Sequence, residues 1–380
     1  MVSAGPVIAG LGVAHPPSVA QDELWRGFFV HHFAGATRAL AERIFANSGV
    51  TTRHAAVNPL VEDVSDWPTE RRMRRYLVEA LPLGKEAVGR ALTDAGLSAG
   101  DIGLFAVCSC TGYVTPGLEI LLARDMGMAA DTQRLFIGHM GCYAALPGLG
   151  SVSDFVTARG RPALLLCAEL TSLHIQPSVL RADTQQVVAH ALFSDAAVAV
   201  VLTPPAVGGY AVREVASVTD TSTTDHMTWD VTETGFRMGL SPRVPQVLSV
   251  HVRALVEDLL ARHGLKVSDV DGWAVHPGGP RILTVVEREL ALPPQALAAS
   301  RATLAEHGNC SSPTVLLVLD RLRRNQHPPR RVVLLAFGPG LTLYVALLER
   351  PPYAPIDRPR SDRRGPDAGQ PSPGGVRNSA

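Results

Sequence analysis

Stretches that read as buried strands alternate along this 380-residue chain with segments that suit helices, and that alternation predicts an α/β fold. Two further observations point the same way. The stretches Ala163–Ala168 and Ala197–Leu202 are apolar from end to end, the pattern of strands covered on both faces of a sheet. Apolar residues make up 46% of the chain and charged residues 18%, the balance of a globular protein with a substantial core.

Val7–Ala14 reads as the first strand. Gln21–Arg43 follows as an amphipathic helix that turns Trp25, Phe28, Phe29 and Phe33 toward a core. A basic cluster then runs from Arg53 through Arg71, Arg72, Arg74 and Arg75. Such a cluster is either a solvated helix face or a mouth that receives the phosphates of a nucleotide-bearing substrate. Residues 83–97 suit a helix and Leu104–Cys108 a buried strand, and the segment from Cys108 to Gly117 forms a loop. Its Cys108 and Cys110 lie one residue apart, but no second pair with ligand spacing exists, so metal binding is not expected.

An apolar run ends at Gly141, Cys142 follows, and a helix-compatible segment continues to Gly160. After the strand Ala163–Ala168, His174, Gln176 and Pro177 sit in a loop, and Leu192-Phe-Ser-Asp-Ala196 leads into Ala197–Leu202. Pro204-Pro205 and Gly208-Gly209 mark a seam that divides residues 1–206 from 207–350. The second half carries a helix over 244–264, a short strand Gly272–Val275 and then His276-Pro-Gly-Gly-Pro280. Asn309 opens another helix through Arg324, and Gly338-Pro339-Gly340 joins two final strands, Val332–Phe337 and Leu341–Leu348. Gly141-Cys142 and Gly308-Asn309 each precede an amphipathic helix followed by two apolar strands, a hint of internal duplication. From residue 351 the composition turns to proline, glycine and arginine, which predicts a disordered tail over 351–380.

Lysine plus arginine equals aspartate plus glutamate at 35 each, so charge gives no reason to expect a nucleic-acid partner or an anionic membrane. Five scattered cysteines argue against a disulfide framework and for a reducing compartment. The first apolar stretch is short, has no basic region before it and is broken by Pro16-Pro17; a cytoplasmic protein without a spanning helix is expected.

Three residues far apart in sequence carry the candidate chemistry. Most free cysteines are small buried hydrophobes. A cysteine at the first turn of a helix, as Cys142 is placed, feels the positive end of the helix dipole, which favours thiolate, the nucleophilic form. His276 stands where a strand ends, in a turn stiffened by two prolines and two glycines that would hold the ring out of the sheet. Asn309 stands at a helix start, where asparagine also serves simply as an N-cap.

These residues and their contexts resemble the type III polyketide synthases, relatives of chalcone synthase. The resemblance is carried by Gly141-Cys142, Cys167-Ala-Glu-Leu-Thr171, Leu192-Phe-Ser-Asp195, Gly235-Phe236, His276-Pro-Gly-Gly-Pro280, Gly308-Asn309-Cys-Ser311 and Phe337-Gly-Pro-Gly340, over roughly residues 5–350. It implies a thiolase-type duplicated αβαβα layered fold and a homodimer, with the Thr115 loop near the partner's cavity. It implies Cys142 as the acyl-accepting nucleophile, held as a thiolate by His276, and His276 with Asn309 as donors to the thioester carbonyl of malonyl-CoA. Phe193 and Phe236 match the gatekeeper phenylalanines, and Gly338, Pro339 and Gly340 the turn that shapes the cavity wall. Cys110, Thr115, His174 and Ser311 fall where starter choice and cyclisation are tuned, and Arg53 is the candidate for binding CoA. Substrates would be acyl-CoA and malonyl-CoA, with no metal or bound cofactor.

The chain departs from the pattern in Tyr143-Ala-Ala-Leu-Pro147, in Ser194 and Ala196 where glycines are usual, and in His174, bulkier than the usual threonine. Long-chain alkylpyrone or alkylresorcinol formation ranks above malonyl-primed tetrahydroxynaphthalene formation on the small Thr115 and the bacterial-type Ser-Cys-Thr-Gly loop. A ketoacyl synthase III relative using an acyl carrier protein shares Cys-His-Asn but should lack the paired phenylalanines. A silent scaffold would not need the triad, and a papain-like protease would need a Cys-Gly-Ser-Cys-Trp pattern that this chain lacks.

Overall fold

The structure is a computed structural model that describes residues 5–176, 183–205 and 208–350. The seam expected at 206/207, Pro177 and the tail expected over 351–380 lie outside the described residues.

The first part of the chain is β1 (Val7–Ala14), β2 (Ser18–Ala20), α1 (Gln21–Gly27), α2 (Gly35–Ala46), β3 (Thr52–His54) and α3 (Thr69–Ala95). It continues with β4 (Leu104–Cys108), α4 (Leu118–Met126), β5 (Gln133–Ile137), α5 (Ala145–Arg159), β6 (Ala163–Glu169), α6 (Thr184–Leu192) and β7 (Ala196–Thr203). The second part opens with β8 (Tyr210–Thr219), the hairpin β9 (Met227–Thr232) and β10 (Gly235–Leu240), α7 (Val244–Arg262) and β11 (Gly272–Val275). It ends with α8 (Pro280–Glu289), α9 (Ala298–His307), α10 (Pro313–Arg323), β12 (Arg331–Gly338) and β13 (Thr342–Glu349).

Nine strands form one sheet in the order β11-β12-β13-β8-β1-β7-β6-β4-β5. The two halves repeat one pattern. β4 lies parallel to β6, which is antiparallel to β7, which is antiparallel to β1. In the same way β11 lies parallel to β12, which is antiparallel to β13, which is antiparallel to β8. Within the sheet, the halves join among the described residues through the registered pairs Val7 with Ala211 and Ile8 with Tyr210.

Strand alternation then sorts the core into layers. Phe105, Val107, Leu164 and Leu166 face an outer core shared with α3, whereas Leu104, Ala106, Cys108 and Leu165 face an inner core shared with α5 and α10. In the second half Val332, Leu334 and Ala336 reach that same inner core, and Val333, Leu335 and Phe337 face a third one under α7 and α8. Helices, one half of the sheet, the central helices, the other half of the sheet and helices follow in order, the duplicated five-layer thiolase-type arrangement. α5 and α10 form its centre, and they are the two helices that begin just after Cys142 and Asn309.

Two helices of the first half differ from their sequence boundaries. Gln21–Arg43 is interrupted: α1 stops at Gly27, a single tight turn spans Phe29–His32, and α2 starts at Gly35. Trp25, Phe28, Phe29 and Phe33 are all buried on either side of and within that break, so the expected core is kept although the helix is not continuous. α3 begins at Thr69 rather than near residue 83, because Arg72, Tyr76, Ala80, Leu83, Ala87 and Ala91 form one buried stripe at helical spacing. The arginines and Pro82 mask that stripe in the sequence. α3 sits directly on β1 because Gly12 has no side chain; a Cβ there would lie 2.1 Å from the Ala87 carbonyl oxygen.

Candidate active site

Cys142 lies in a single turn, Gly141–Tyr143, that runs into α5 at the centre of the molecule. Gly141 adopts φ +70°, and a Cβ there would press on Pro339 at 3.0 Å, so the approach to the cysteine suits glycine alone. The Gly338–Pro339 turn therefore braces the backbone that presents the thiol; a Cβ on Gly338 would meet the Tyr143 ring at 2.8 Å.

His276 extends the β11 ladder by one bond, its amide donating to the Leu335 carbonyl at 2.8 Å. Its ring is fully buried, lies edge-on to Phe337 at 5.5 Å, and has no hydrogen-bond partner at either nitrogen. Burial holds its pKa down at about 3, so the imidazole is neutral. Asn309 is not the cap of α10, which starts four residues later at Pro313. It pairs as an isolated bridge with Phe193: its amide donates to the Leu192 carbonyl at 2.8 Å and its carbonyl accepts from Ser194 at 2.9 Å. Its side-chain oxygen accepts from the Ser311 amide at 2.9 Å, which leaves the side-chain nitrogen free to donate.

Cys142, His276, Asn309 and Phe193 line one cavity of about 860 Å³ together with Phe337. The thiol is not the low-pKa group that helix position predicts. Burial pushes it up to about 12, and hydrogen bonds from Ser311 and Asn309 offset only part of that rise. Desolvation of a fully enclosed sulfur outweighs the field of one helix end. At rest the cavity therefore holds a neutral thiol and a neutral imidazole.

Behind the thiol stands a carboxylate to which the sequence reading gave no role. Glu169, at the end of the all-apolar β6, accepts from the Cys110 amide at 3.0 Å, Thr111 Oγ1 at 2.8 Å and Ser312 Oγ at 2.9 Å. Cys110 Sγ points at Glu169 (3.4 Å) and at Ser311 Oγ (3.8 Å), so Glu169, Cys110, Ser311 and Cys142 form one connected series. Burial raises the Glu169 pKa against those donors. The sequence signal was an acid closing an otherwise apolar strand.

His174 and Phe236 lie together away from the cavity lining: their rings stack at 4.5 Å with an 11° interplanar angle, and Trp229 meets His174 edge-on at 5.4 Å. Thr115 lies exposed in the loop before α4 and lines no part of the cavity.

Arg53 does not stand at a phosphate-receiving mouth. It is 6% exposed, donates to the His190 and Phe193 carbonyls, and sits over the Phe29 and Phe45 rings, because β3 carries it beneath α6. The rest of the basic cluster is likewise occupied. Arg72 is fully buried against the carbonyls of Val64, Ser65, Trp67, Leu173 and Ile175, Arg71 lies over Trp67, and Arg74 and Arg75 pair with Glu70, Glu62 and Glu79. The exposed cations that do line the cavity are Arg43 on α2 and Arg281 in the first turn of α8. No periodic signal set either arginine apart.

One histidine group, His15, His54 and His307, has the proximity of a metal site. His54 Nε2 and His307 Nδ1 meet in a hydrogen bond at 3.0 Å, and His15 stacks on both rings at 4.1 and 4.6 Å. A metal lies in the plane of each imidazole that binds it, which stacked rings cannot share.

Comparison with known proteins completes the description. The family described as chalcone and stilbene synthases, N-terminal domain, matches residues 3–205, and its C-terminal domain matches residues 214–351. The chain is 38% identical to 1,3,6,8-tetrahydroxynaphthalene synthase of Streptomyces peucetius subsp. caesius, over 83% of this chain and 84% of that one. It is 31% identical to the alpha-pyrone synthesis polyketide synthase-like Pks18 of Mycobacterium tuberculosis, over 79% and 80%. Among solved structures, 1,3,6,8-tetrahydroxynaphthalene synthase of Streptomyces coelicolor A3(2) superposes with a TM-score of 0.83 at 32% identity, covering 90% of this chain and 99% of that one.

Proposed function

Because the chain belongs to the chalcone and stilbene synthase family and is a type III polyketide synthase, we propose that it loads an acyl group from acyl-CoA onto Cys142 and extends it with malonyl-CoA. The observation that carries this reading is His276: a fully buried imidazole, both nitrogens unpartnered, in the cavity that holds Cys142 and Asn309. Buried polar atoms are rarely left unsatisfied, so this ring keeps unspent donor and acceptor capacity at the cavity it lines.

The chemistry follows from the resting protonation states. As Cys142 attacks the acyl-CoA carbonyl, its proton passes to neutral His276, the S–C bond forms, and the departing CoA sulfur takes that proton back. For extension, His276 and the Asn309 amide donate to the thioester oxygen of malonyl-CoA. The C–C bond to the carboxylate breaks, CO₂ leaves, and the electron pair enters an enolate that those two donors stabilise. The enolate carbon attacks the Cys142 thioester and displaces the cysteine sulfur, so the lengthened chain rests on CoA and can be reloaded. Arg43 and Arg281 hold the CoA phosphates at the cavity mouth, the latter helped by the α8 dipole. Phe193, on the cavity lining, and Phe236, stacked on His174 outside that lining, act together as gate residues, and the chain cyclises to an alkylpyrone, resorcinol or related aromatic.

The active species is a cytoplasmic homodimer. β5 closes the nine-stranded sheet with its outer edge unpaired, and Leu135 and Phe136 are exposed on it at 37% and 41%. A second copy pairing there would cover both. The Thr115 loop precedes α4, which packs on β5, so it lies beside that edge. All five cysteines are free, as a reducing compartment allows, and among the described residues no helix is long and apolar enough to cross a membrane.

A malonyl-primed tetrahydroxynaphthalene synthase is the second reading, favoured by the 38% identity to the Streptomyces peucetius enzyme of that name. The deciding experiment incubates the protein with malonyl-CoA, with and without a panel of acyl-CoAs, and reads products by mass spectrometry beside Cys142→Ala. A product whose mass follows the acyl-CoA supports the first reading, and a product from malonyl-CoA alone supports the second. No condensation under any condition overturns both.

A further inference from the structure

The segments bearing Phe193 and Phe236 belong to different elements, yet a continuous chain of buried polar groups ties their backbones together. Arg53 Nη1 donates to the carbonyls of His190 and of Phe193, the latter at 3.0 Å. His190 Nε2 accepts from the Gln176 amide at 3.2 Å. The Gln176 side chain donates through Nε2 to the Phe236 carbonyl at 2.9 Å, and its oxygen accepts from Thr234 Oγ1 at 3.2 Å. The Phe236 amide donates to His174 Nδ1 at 2.9 Å, and His174 Nε2 donates to the Thr111 carbonyl at 2.7 Å.

None of Arg53, His174, Gln176 and His190 is more than 9% exposed. Burial holds both imidazoles neutral, and the bonds fix their tautomers: each accepts at one named nitrogen, and His174 donates at the other. With donor and acceptor duties both spent on the backbone, His174 has no proton to lend to ring closure. A polar chain this deep is costly unless each link is made, so its members hold or yield together.

We propose that Arg53, His190, Gln176 and His174 are positioning residues that couple the two gate phenylalanines into one unit. A growing chain that displaces Phe193 in the cavity then loads Phe236 outside it through these bonds, and the number of extensions is set by both rings jointly. This rests on the assignment of Phe193 and Phe236 as the gate.

Peptide-resolved hydrogen exchange on the full-length protein tests the coupling without reference to activity. Gln176→Glu keeps the side-chain length and the acceptor for Thr234, but its carboxylate cannot donate to Phe236. His190→Leu removes the acceptor on the other side. Each variant is expected to speed exchange in the segment it does not touch: 188–194 for Gln176→Glu and 234–238 for His190→Leu. One lost hydrogen bond corresponds to an acceleration on the order of fivefold. Acceleration confined to a variant's own segment, or none at all, overturns the coupling. Gln176→Met serves in place of Gln176→Glu should the carboxylate prevent folding. CO₂ released per extension is expected to rise in the same variants. Should Phe193→Leu and Phe236→Leu both leave that ratio unchanged, the gate assignment falls, while the exchange result still decides the coupling.

Discussion

At Cys142 two opposed effects act on one sulfur. Helix position favours the anion, enclosure disfavours it, and enclosure prevails, leaving a thiol near 12 beside an imidazole near 3. In the proposed mechanism the nucleophile is thus made during the reaction by proton transfer to His276. Residues that serve loading and residues that serve decarboxylation should therefore separate on mutation. Cys142→Ala is expected to abolish condensation while malonyl-CoA still loses CO₂, measured by trapping labelled carbon dioxide. Removing one donor of the pair, by His276→Ala or Asn309→Ala, is expected to lower that CO₂ release about 10²- to 10³-fold. Gly141→Ala forces a side chain onto Pro339 at positive φ, and a lower melting temperature together with lost activity is expected.

Elements place charge where local sequence gave no hint of it. α2 and α8 converge so that Arg43 and Arg281 share the cavity mouth, although they stand far apart in the chain. Arg43→Glu or Arg281→Glu is expected to raise the KM for malonyl-CoA roughly tenfold with little change in kcat, since a phosphate contact held equally in ground and transition states affects binding alone. Adding salt should narrow the difference. The β5 edge bears on assembly: Phe136→Arg sets like charges against each other across a two-fold axis. Sedimentation is expected to show the proposed dimer giving way to monomer in this variant; a variant that still dimerises would place the interface elsewhere.

Across the whole molecule, burial of imidazoles ties stability to pH. His15, His174, His190 and His276 are held at about 3 and His307 at about 4, chiefly by desolvation, against 6.5 when unfolded. The unfolded chain therefore binds protons below 6.5 that the folded chain refuses, so this stability is present above 6.5 and drains away as pH falls toward 4. Glu169 and Asp195, raised by burial, act in the opposite sense: their contribution is lost as pH rises above the ordinary carboxylate range, so they offset part of the imidazole effect. The urea midpoint is expected to drop steeply between pH 6.5 and pH 5 and to stay nearly level from 6.5 to 8.

The sequence by itself determined the fold class and singled out the candidate reacting groups. All-apolar strands report two-sided burial, and Gly-Cys, His-Pro-Gly-Gly-Pro and Gly-Asn announce turns whose backbone demands are local. The four phenyl and indole rings of residues 25–33 were likewise legible as core, though not the break between α1 and α2 that buries them. Tertiary structure alone decided three things. It withdrew Arg53 from the solvent and gave the mouth to Arg43 and Arg281; it reversed the expected ionisation of Cys142; and it bound His174 and Gln176 into the backbone of Phe236. The reason is common to all three. Charge state and partners depend on the dielectric surroundings and on atoms brought in from distant parts of the chain, and a linear pattern records neither.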